Sequence, residues 1–258
     1  PITENGISIL KDAKLNVLYM PKASIEEKIK ASKEVHGWII RSGTIITEQM
    51  IESSKNLQVI GRAGVGVDNI NIPAATRRGI VVMNTPDINT ISAAEHTVAM
   101  MLTLSRNISV GDSEVKQGEW NRNELIGSEL SNKILGIVGM GKIGREVMTR
   151  CRSFGMNILG YDPYMNQETF NSEEVKMVEL DELVSSADII SVHVPLTDST
   201  RDLFNYKRLS NMKSTGRIIN VARGGIINES DLAKALSKGL IAGAAIDVFT
   251  SEPIDKLN

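Results

Sequence analysis

Residues Ile134-Leu135-Gly136-Ile137-Val138-Gly139-Met140-Gly141-Lys142-Ile143-Gly144-Arg145-Glu146-Val147 decide the fold. The run Ile134–Val138 is apolar without alternation, which predicts a strand covered on both faces, as in a parallel sheet. Behind it stands Gly139-x-Gly141-x-x-Gly144, and a helix is predicted from the last of these glycines. Gly139 permits a tight turn, Gly141 lets the backbone approach a pyrophosphate, and Gly144 lets helix and strand pack closely. The helix start adds free N–H groups and a partial positive charge. A glycine triplet alone would be weak. Here a second strand, Asn157–Tyr161, leads into Asp162, 23 residues after Gly139. An acid at that place accepts hydrogen bonds from adenosine ribose hydroxyls and repels a 2′-phosphate. Pro163 follows where an NADP site would more often carry arginine, so the motif predicts NAD.

Outward from the motif, short apolar runs alternate with helical patterns. Strands are predicted at residues 15–20, 37–42, 57–61 and 80–83 in the first third, then at 188–192, 217–221 and 242–248 after the motif. Ser24 and Glu27 form a capping box ahead of Ile25 and Ile29. Pro73 opens a helix that Gly79 can close, and Gly155 and Gly239 are placed to end helices beginning near Ile143 and Ser230. A long helix is predicted from about Ser92 to Arg106 or beyond, with methionines and leucines that suit either a core or a dimer contact. Residues 109–130, with Trp120, read as a polar, irregular connecting arm. Strand and helix in alternation mean an α/β protein with right-handed crossovers. Thr85-Pro86 and the polar Asp87-Ile88-Asn89 interrupt the pattern, which divides the chain into residues 1–86 and 87–258.

The 258 residues allow one large domain or two ordinary ones. With 29 Lys+Arg against 31 Asp+Glu and a net charge of −2, nothing marks a nucleic-acid or membrane-surface partner. The lone Cys151 cannot form an internal disulfide, and no apolar run approaches the ~18 residues of a bilayer span. Pro1-Ile2-Thr3-Glu4 lacks the basic and apolar regions of a signal peptide, so a cytoplasmic protein is expected. Both ends look cut, with no initiator Met and a finish in what reads as mid-loop.

Residues that could carry chemistry cluster at predicted strand ends. In an open α/β sheet, ligands lie beyond the C-terminal ends of the strands, where Arg223 follows Asn220-Val221-Ala222 and precedes Gly224-Gly225. A guanidinium beside glycines is suited to a bidentate grip on a carboxylate. Asp247 could hydrogen-bond a nicotinamide amide, and Glu252 could orient a catalytic imidazole. Of the histidines, His36 reads as structural and His96 as packed or as a helix-surface hydrogen-bond partner. His193 ends a strand on the cofactor side, within reach of bound NAD. None follows Glu252, so no general base is visible.

These residues, with Ile40-Arg-Ser-Gly-Thr44, Gly61-Arg-Ala-Gly-Val-Gly-Val-Asp-Asn69, Met83-Asn-Thr-Pro86, Ser92-Ala-Ala-Glu-His96, Val192-His-Val-Pro195 and Asp247-Val-Phe-Thr-Ser-Glu252, make the chain resemble the D-isomer-specific 2-hydroxyacid dehydrogenases. The resemblance covers nearly the whole chain, in order. It implies a Rossmann-type doubly wound parallel sheet with a second, flavodoxin-like α/β substrate domain, incomplete at both chain ends. It also implies that Gly139, Gly141, Lys142, Ile143, Gly144 and Asp162 hold the pyrophosphate and ribose of NAD. Val65, His193, Val194, Val221, Ala222 and Asp247 would complete that site. Arg223 would polarise the 2-keto group and hold the carboxylate, while Glu252 would pair with the catalytic histidine.

Arg41, Arg62 and Asn84 match the pattern by which phosphoglycerate-oxidising members hold substrate carboxylate and phosphate. Oxidation of 3-phospho-D-glycerate to 3-phosphohydroxypyruvate, the entry to serine synthesis, is the reaction so implied, in a homodimer or homotetramer joined through the NAD domain. A glyoxylate or hydroxypyruvate reductase on the same scaffold is the neighbouring alternative, and a non-catalytic NAD(H)-sensing corepressor-like protein is the alternative of another class. By family spacing a first strand would precede Pro1. The catalytic histidine and a return helix would follow Asn258, so the chain as written is expected to bind NAD without turning over.

Overall fold

The parallel strands expected from unbroken apolar runs form in the computed structural model, which describes residues 2–86, 88–171 and 173–254. Asp87, at the predicted domain change, and residues 255–258 lie outside that description. The chain divides into two compact units, Pro1–Asn89 and Thr90–Asn258.

The first unit runs α1 (Glu4–Asp12), α2 (Ile25–Ser32), β1 (Gly37–Ile40), α3 (Glu48–Ser53), β2 (Val59–Arg62), α4 (Ile72–Arg77) and β3 (Val81–Asn84). Its sheet has the order β1-β2-β3, all parallel, with Ile40 opposite Arg62 and Arg62 opposite Asn84. Ile40, Ile46, Met50, Ile51, Ile60 and Ile70 form its core. The capping box on α2 is present in both directions, Ser24 N–H to Glu27 at 2.7 Å and Glu27 N–H to Ser24 at 3.2 Å. Pro73 sits in the first turn of α4, capped by Asn71. One expected strand is absent: residues 15–20 pair with no strand among the described residues. Leu15 and Leu18 stay more than half exposed there, because a largely apolar run makes a strand only beside a neighbour that completes its ladder.

The second unit runs α5 (Thr90–Ser105), α6 (Ile108–Lys116), β4 (Ile134–Val138), α7 (Lys142–Ser153), β5 (Asn157–Tyr161), β6 (Lys176–Met177), α8 (Leu180–Ser186), β7 (Ile189–Val192), α9 (Tyr206–Ser210), β8 (Arg217–Asn220), α10 (Glu229–Ser237) and β9 (Gly243–Ile246). The six strands are parallel in the order β6-β5-β4-β7-β8-β9, a Rossmann-type doubly wound sheet whose direction of winding changes between β4 and β7. Successive strand residues supply opposite faces. Ile190 and Ile218 join Leu183, Phe204 and Leu209 on one side, while Ile189 and Ile219 join Met101, Val147 and Cys151 on the other.

Met101 of α5 is fully buried, with Met100 and Leu102 packed against the same cluster, so these side chains serve the core. Burial pushes the Cys151 thiol up to about 12, which leaves it a small apolar core residue. Residues 109–130 are not irregular throughout, because α6 occupies their beginning, held in part by a Lys116–Asp112 ion pair at 2.6 Å. Asn107, at φ 54, separates α6 from α5. Strand β6, two residues long, has no periodicity to read. Among the described residues no helix is long and apolar enough to cross a membrane.

Asp188 joins the three central strands at their N-terminal ends. Its carboxylate accepts from Ile134 N–H at 2.8 Å and from the Lys213 ammonium at 2.8 Å, and its carbonyl accepts from Arg217 N–H at 3.0 Å. Burial alone would raise this carboxyl. The Ile134 N–H, Lys213 and the nearby Lys133 outweigh it and hold the group below the usual carboxylate range. A lowered folded pKa gives stability that is present above the unfolded value of about 3.9 and lost as pH falls through the folded one. Asp188→Asn is therefore expected to destabilise the second unit by about 1–2 kcal/mol at pH 7. That gap should close as the pH is lowered below about 4, as read by urea unfolding at a series of pH values.

Candidate functional site

Register brings the second unit's candidate residues to one sheet edge. Val138 lies opposite both Tyr161 and Val192, Val192 opposite Asn220, and Asn220 opposite Ile246. The residues that follow these strand ends are Gly139, Asp162, His193, Val221-Ala222-Arg223 and Asp247, all on the C-terminal side.

Gly139 has φ 99, and a Cβ there would stand 2.7 Å from the His193 carbonyl oxygen. A Cβ on Gly144 would run into the Gly139 carbonyl, whereas one on Gly141 would meet nothing within 4 Å. The first and third glycines thus close the strand–helix turn, and the second faces open space. Gly141 caps α7 without a side-chain hydrogen bond, so the positive end of the helix lies beside an open glycine where an anion can approach. Asp162 is held by two backbone donors, Met140 N–H at 3.0 Å and Tyr164 N–H at 2.9 Å. Two oxygens carry about four lone-pair sites, so this fixed carboxylate can still accept from ribose hydroxyls. An open glycine, an uncapped helix start and an oriented acid fit a dinucleotide.

His193 donates its backbone N–H to the Val138 carbonyl at 2.7 Å, and its Nε2 stands 2.8 Å from the hydroxyl of buried Ser191. Desolvation pushes the imidazole down to about 4, so it is neutral at physiological pH. Val194, Val221 and Ala222 are half-buried at the same edge.

Arg223 is half-buried, with Nη1 donating to the Ala222 carbonyl at 2.6 Å. Its turn is organised by Asn220, only 2% exposed, which accepts from Ala222 N–H at 3.0 Å and donates to the Arg223 carbonyl at 2.9 Å. Gly224 is needed on the other side, since a Cβ there would run into the Phe249 carbonyl. The 249–252 loop is tied in turn: Phe249 N–H donates to Glu252 at 3.0 Å, and Thr250 donates its N–H and hydroxyl to Glu229 at 2.5 and 2.6 Å. Glu252 keeps its second oxygen for another partner, and none of the three imidazoles meets it. Asp247 lies 3.2 Å from His96 Nε2. His36 stays in the first unit, its carbonyl accepting from Gln58 N–H at 2.8 Å.

In the first unit Arg41, Arg62 and Asn84 again share the C-terminal edge, one at or just beyond the end of each strand. Asn84 donates to the Val65 carbonyl at 2.7 Å, and the Arg62 guanidinium occupies the space a Cβ on Gly64 would need. Asn69 donates to the Arg41 carbonyl at 3.0 Å and the Thr44 carbonyl at 2.6 Å. Asn220, Asn69 and Glu229 escaped the sequence reading as positioning residues. Each works through backbone groups, and only the placement of Asn220 at a strand end ahead of Arg223 hinted at it. Among the described residues no group of three His, Cys, Asp or Glu side chains could hold a metal ion.

Replacing Asn220 by the similarly sized Leu leaves a part-buried N–H and a part-buried carbonyl without their partner. The expected cost is about 2 kcal/mol or more. Thermal unfolding would register it, and an unchanged midpoint would show that Asn220 does not organise the turn.

A family model described as "D-isomer specific 2-hydroxyacid dehydrogenase, NAD binding domain" matches residues 98–258. The D-3-phosphoglycerate dehydrogenase of Sus scrofa is 47% identical over 245 residues, 95% of this chain and 46% of that protein. The chain thus spans about half the length of the curated relatives it matches. Among solved structures, the NAD-dependent formate dehydrogenase of Staphylococcus aureus in complex with NAD superposes with a TM-score of 0.90 at 32% identity, covering 98% of this chain and 76% of that one. The TT0316 protein of Thermus thermophilus gives 0.88 at 31% identity, with 98% and 81% covered. Sequence, sheet order and glycine turn agree with these matches, and the chain belongs to the D-isomer-specific 2-hydroxyacid dehydrogenase family.

Proposed function

We propose that the chain belongs to an enzyme that oxidises 3-phospho-D-glycerate to 3-phosphohydroxypyruvate with NAD. The observation that carries this reading is the joint placement of the uncapped α7 start, the backbone-held Asp162 and the half-buried Arg223 at one sheet edge. NAD, when bound, supplies the hydride acceptor. Gly139, Gly141, Lys142, Ile143 and Gly144 are suited to its pyrophosphate and Asp162 to its ribose. His193, Val194, Val221, Ala222 and Asp247 are suited to the nicotinamide side, with Val65 a further contact.

Arg223 would grip the substrate carboxylate and stabilise charge developing on the C2 oxygen, a role of the oxyanion-hole kind. Glu252, with one oxygen on Phe249 N–H, would orient an imidazole with the other. Three polar side chains at one edge of the first unit, Arg41, Arg62 and Asn84, suit a doubly anionic substrate. Relatives at 44–47% identity are D-3-phosphoglycerate dehydrogenases, which supports the same substrate. Residues 1–86 serve as a substrate-binding domain and residues 87–258 as an NAD-binding domain. The enzyme works in the cytoplasm. A homodimer or homotetramer through the NAD-binding unit completes the proposal, supported by exposed apolar side chains on Ile91, Ile108, Val110, Val115, Trp120 and Ile126. Sedimentation showing a monomer at micromolar concentration would remove that part.

Two measurements test the reaction. Asp162 should make NAD bind at least about tenfold more tightly than NADP, since a 2′-phosphate would face a fixed carboxylate. In turnover by the full-length enzyme, kcat/KM should favour 3-phosphoglycerate over D-glycerate, and Arg223→Ala should lower kcat on the order of 10²-fold or more. Equal use of the two acids would point to a reductase of the same family, and near-normal activity of the variant would overturn the role of Arg223.

A further inference from the structure

An acid that receives an amide must be held in one direction, and Asp247 is poorly held by its own strand. Its backbone N–H donates to the Asn220 carbonyl at 3.0 Å, but its side chain is 48% exposed beyond the end of β9. The restraint comes from another element. His96 projects from α5 and brings Nε2 to 3.2 Å from Asp247 Oδ1. The stretch of α5 around it is firmly seated, with Ala94, Thr97, Val98 and Met101 buried and the Thr97 hydroxyl bonded to the Ala93 carbonyl at 2.7 Å. Leu104 lies against Gly243 of β9, leaving no room for a larger residue there. The imidazole thus stands on a fixed base while its ring reaches out to a half-exposed carboxylate. Among the described residues Oδ2 of Asp247 takes no partner.

We infer that His96 is a positioning residue for the nicotinamide end of the cofactor: its Nε2–H engages Oδ1 of Asp247 and leaves Oδ2 turned to a carboxamide N–H. The inference rests on the proposed role of Asp247. A neutral imidazole in the Nε2–H tautomer suffices, because the carboxylate only accepts. The gain is entropic as well as electrostatic: an exposed Asp side chain free to rotate must lose that freedom when the amide binds, and a pre-held one has already lost it.

Calorimetric affinities of the 258-residue chain for NAD and for ADP-ribose, which lacks the nicotinamide, separate the possibilities. Asp247→Ala is expected to weaken NAD about tenfold and to leave ADP-ribose within about twofold. His96→Leu should move in the same sense, by about fivefold on NAD alone. His96→Gln, whose amide nitrogen can stand near the place of Nε2, should keep most of the wild-type affinity. If Asp247→Ala leaves the ratio of the two affinities unchanged, the role of Asp247 falls and this inference with it. If Asp247→Ala shifts the ratio while His96→Leu does not, or weakens both ligands equally, His96 has no positioning role although Asp247 keeps its own. A Gln variant as poor as the Leu variant would also overturn the inference.

Discussion

Helix α7 begins so close to the end of β4 that no side chain fits between them: a Cβ on Gly144 would run into the carbonyl of Gly139. This contact governs the second unit because β4 is central. It pairs with β5 on one side and β7 on the other, and the remaining strands register outward from those two. Fixing the turn after β4 therefore fixes where every strand end lies. The same closeness sets the start of α7, with its partial positive charge, beside a bare glycine that adds no side-chain cap. One steric demand thus sets both the alignment of the edge and its affinity for negative charge.

Alignment alone does not make an active edge, since loops after strands are free to wander. Here they are tied by side chains that do no chemistry. Asn220 bonds both sides of the turn that presents Arg223, and Glu229 holds Thr250. Each of these ties joins a side chain to backbone groups of a neighbouring loop, so each orients a residue without occupying the space a ligand would use.

That division explains what could be read from the residues beforehand. Strands β4, β5, β7 and β8 were legible because burial on both faces leaves an unbroken apolar run. The glycine turn was legible because three glycines at fixed spacing have a steric reason. Residues 15–20 misled, since a largely apolar run such as Leu15 to Met20 gives a strand's composition but not its neighbour. Helix α6 was hidden because its polar residues resemble a loop, and none of its side chains is buried. The site divided in the same way. Charged groups at strand ends, Arg223 and Asp162, announced themselves. The groups that hold them did not, because a bond between a side chain and a backbone group has no fixed sequence pattern.

Acids at the two ends of the β4–β7 region show how one residue type is assigned to structure or to chemistry. Asp188, at the N-terminal end, is answered by a backbone N–H and a lysine ammonium, and both its oxygens are occupied by strong donors. At the C-terminal edge the acids are held differently. Two backbone N–H groups hold Asp162, an imidazole stands 3.2 Å from Asp247, and one backbone N–H holds Glu252. Neutral or weakly charged partners orient a carboxylate without neutralising it, so its remaining lone pairs and its charge stay available to a ligand. A lysine in their place would stabilise the fold and silence the site. The cations at this end of the fold stand on separate strand ends, as Arg223 does, where they can meet an incoming anion while the acids keep their own charge.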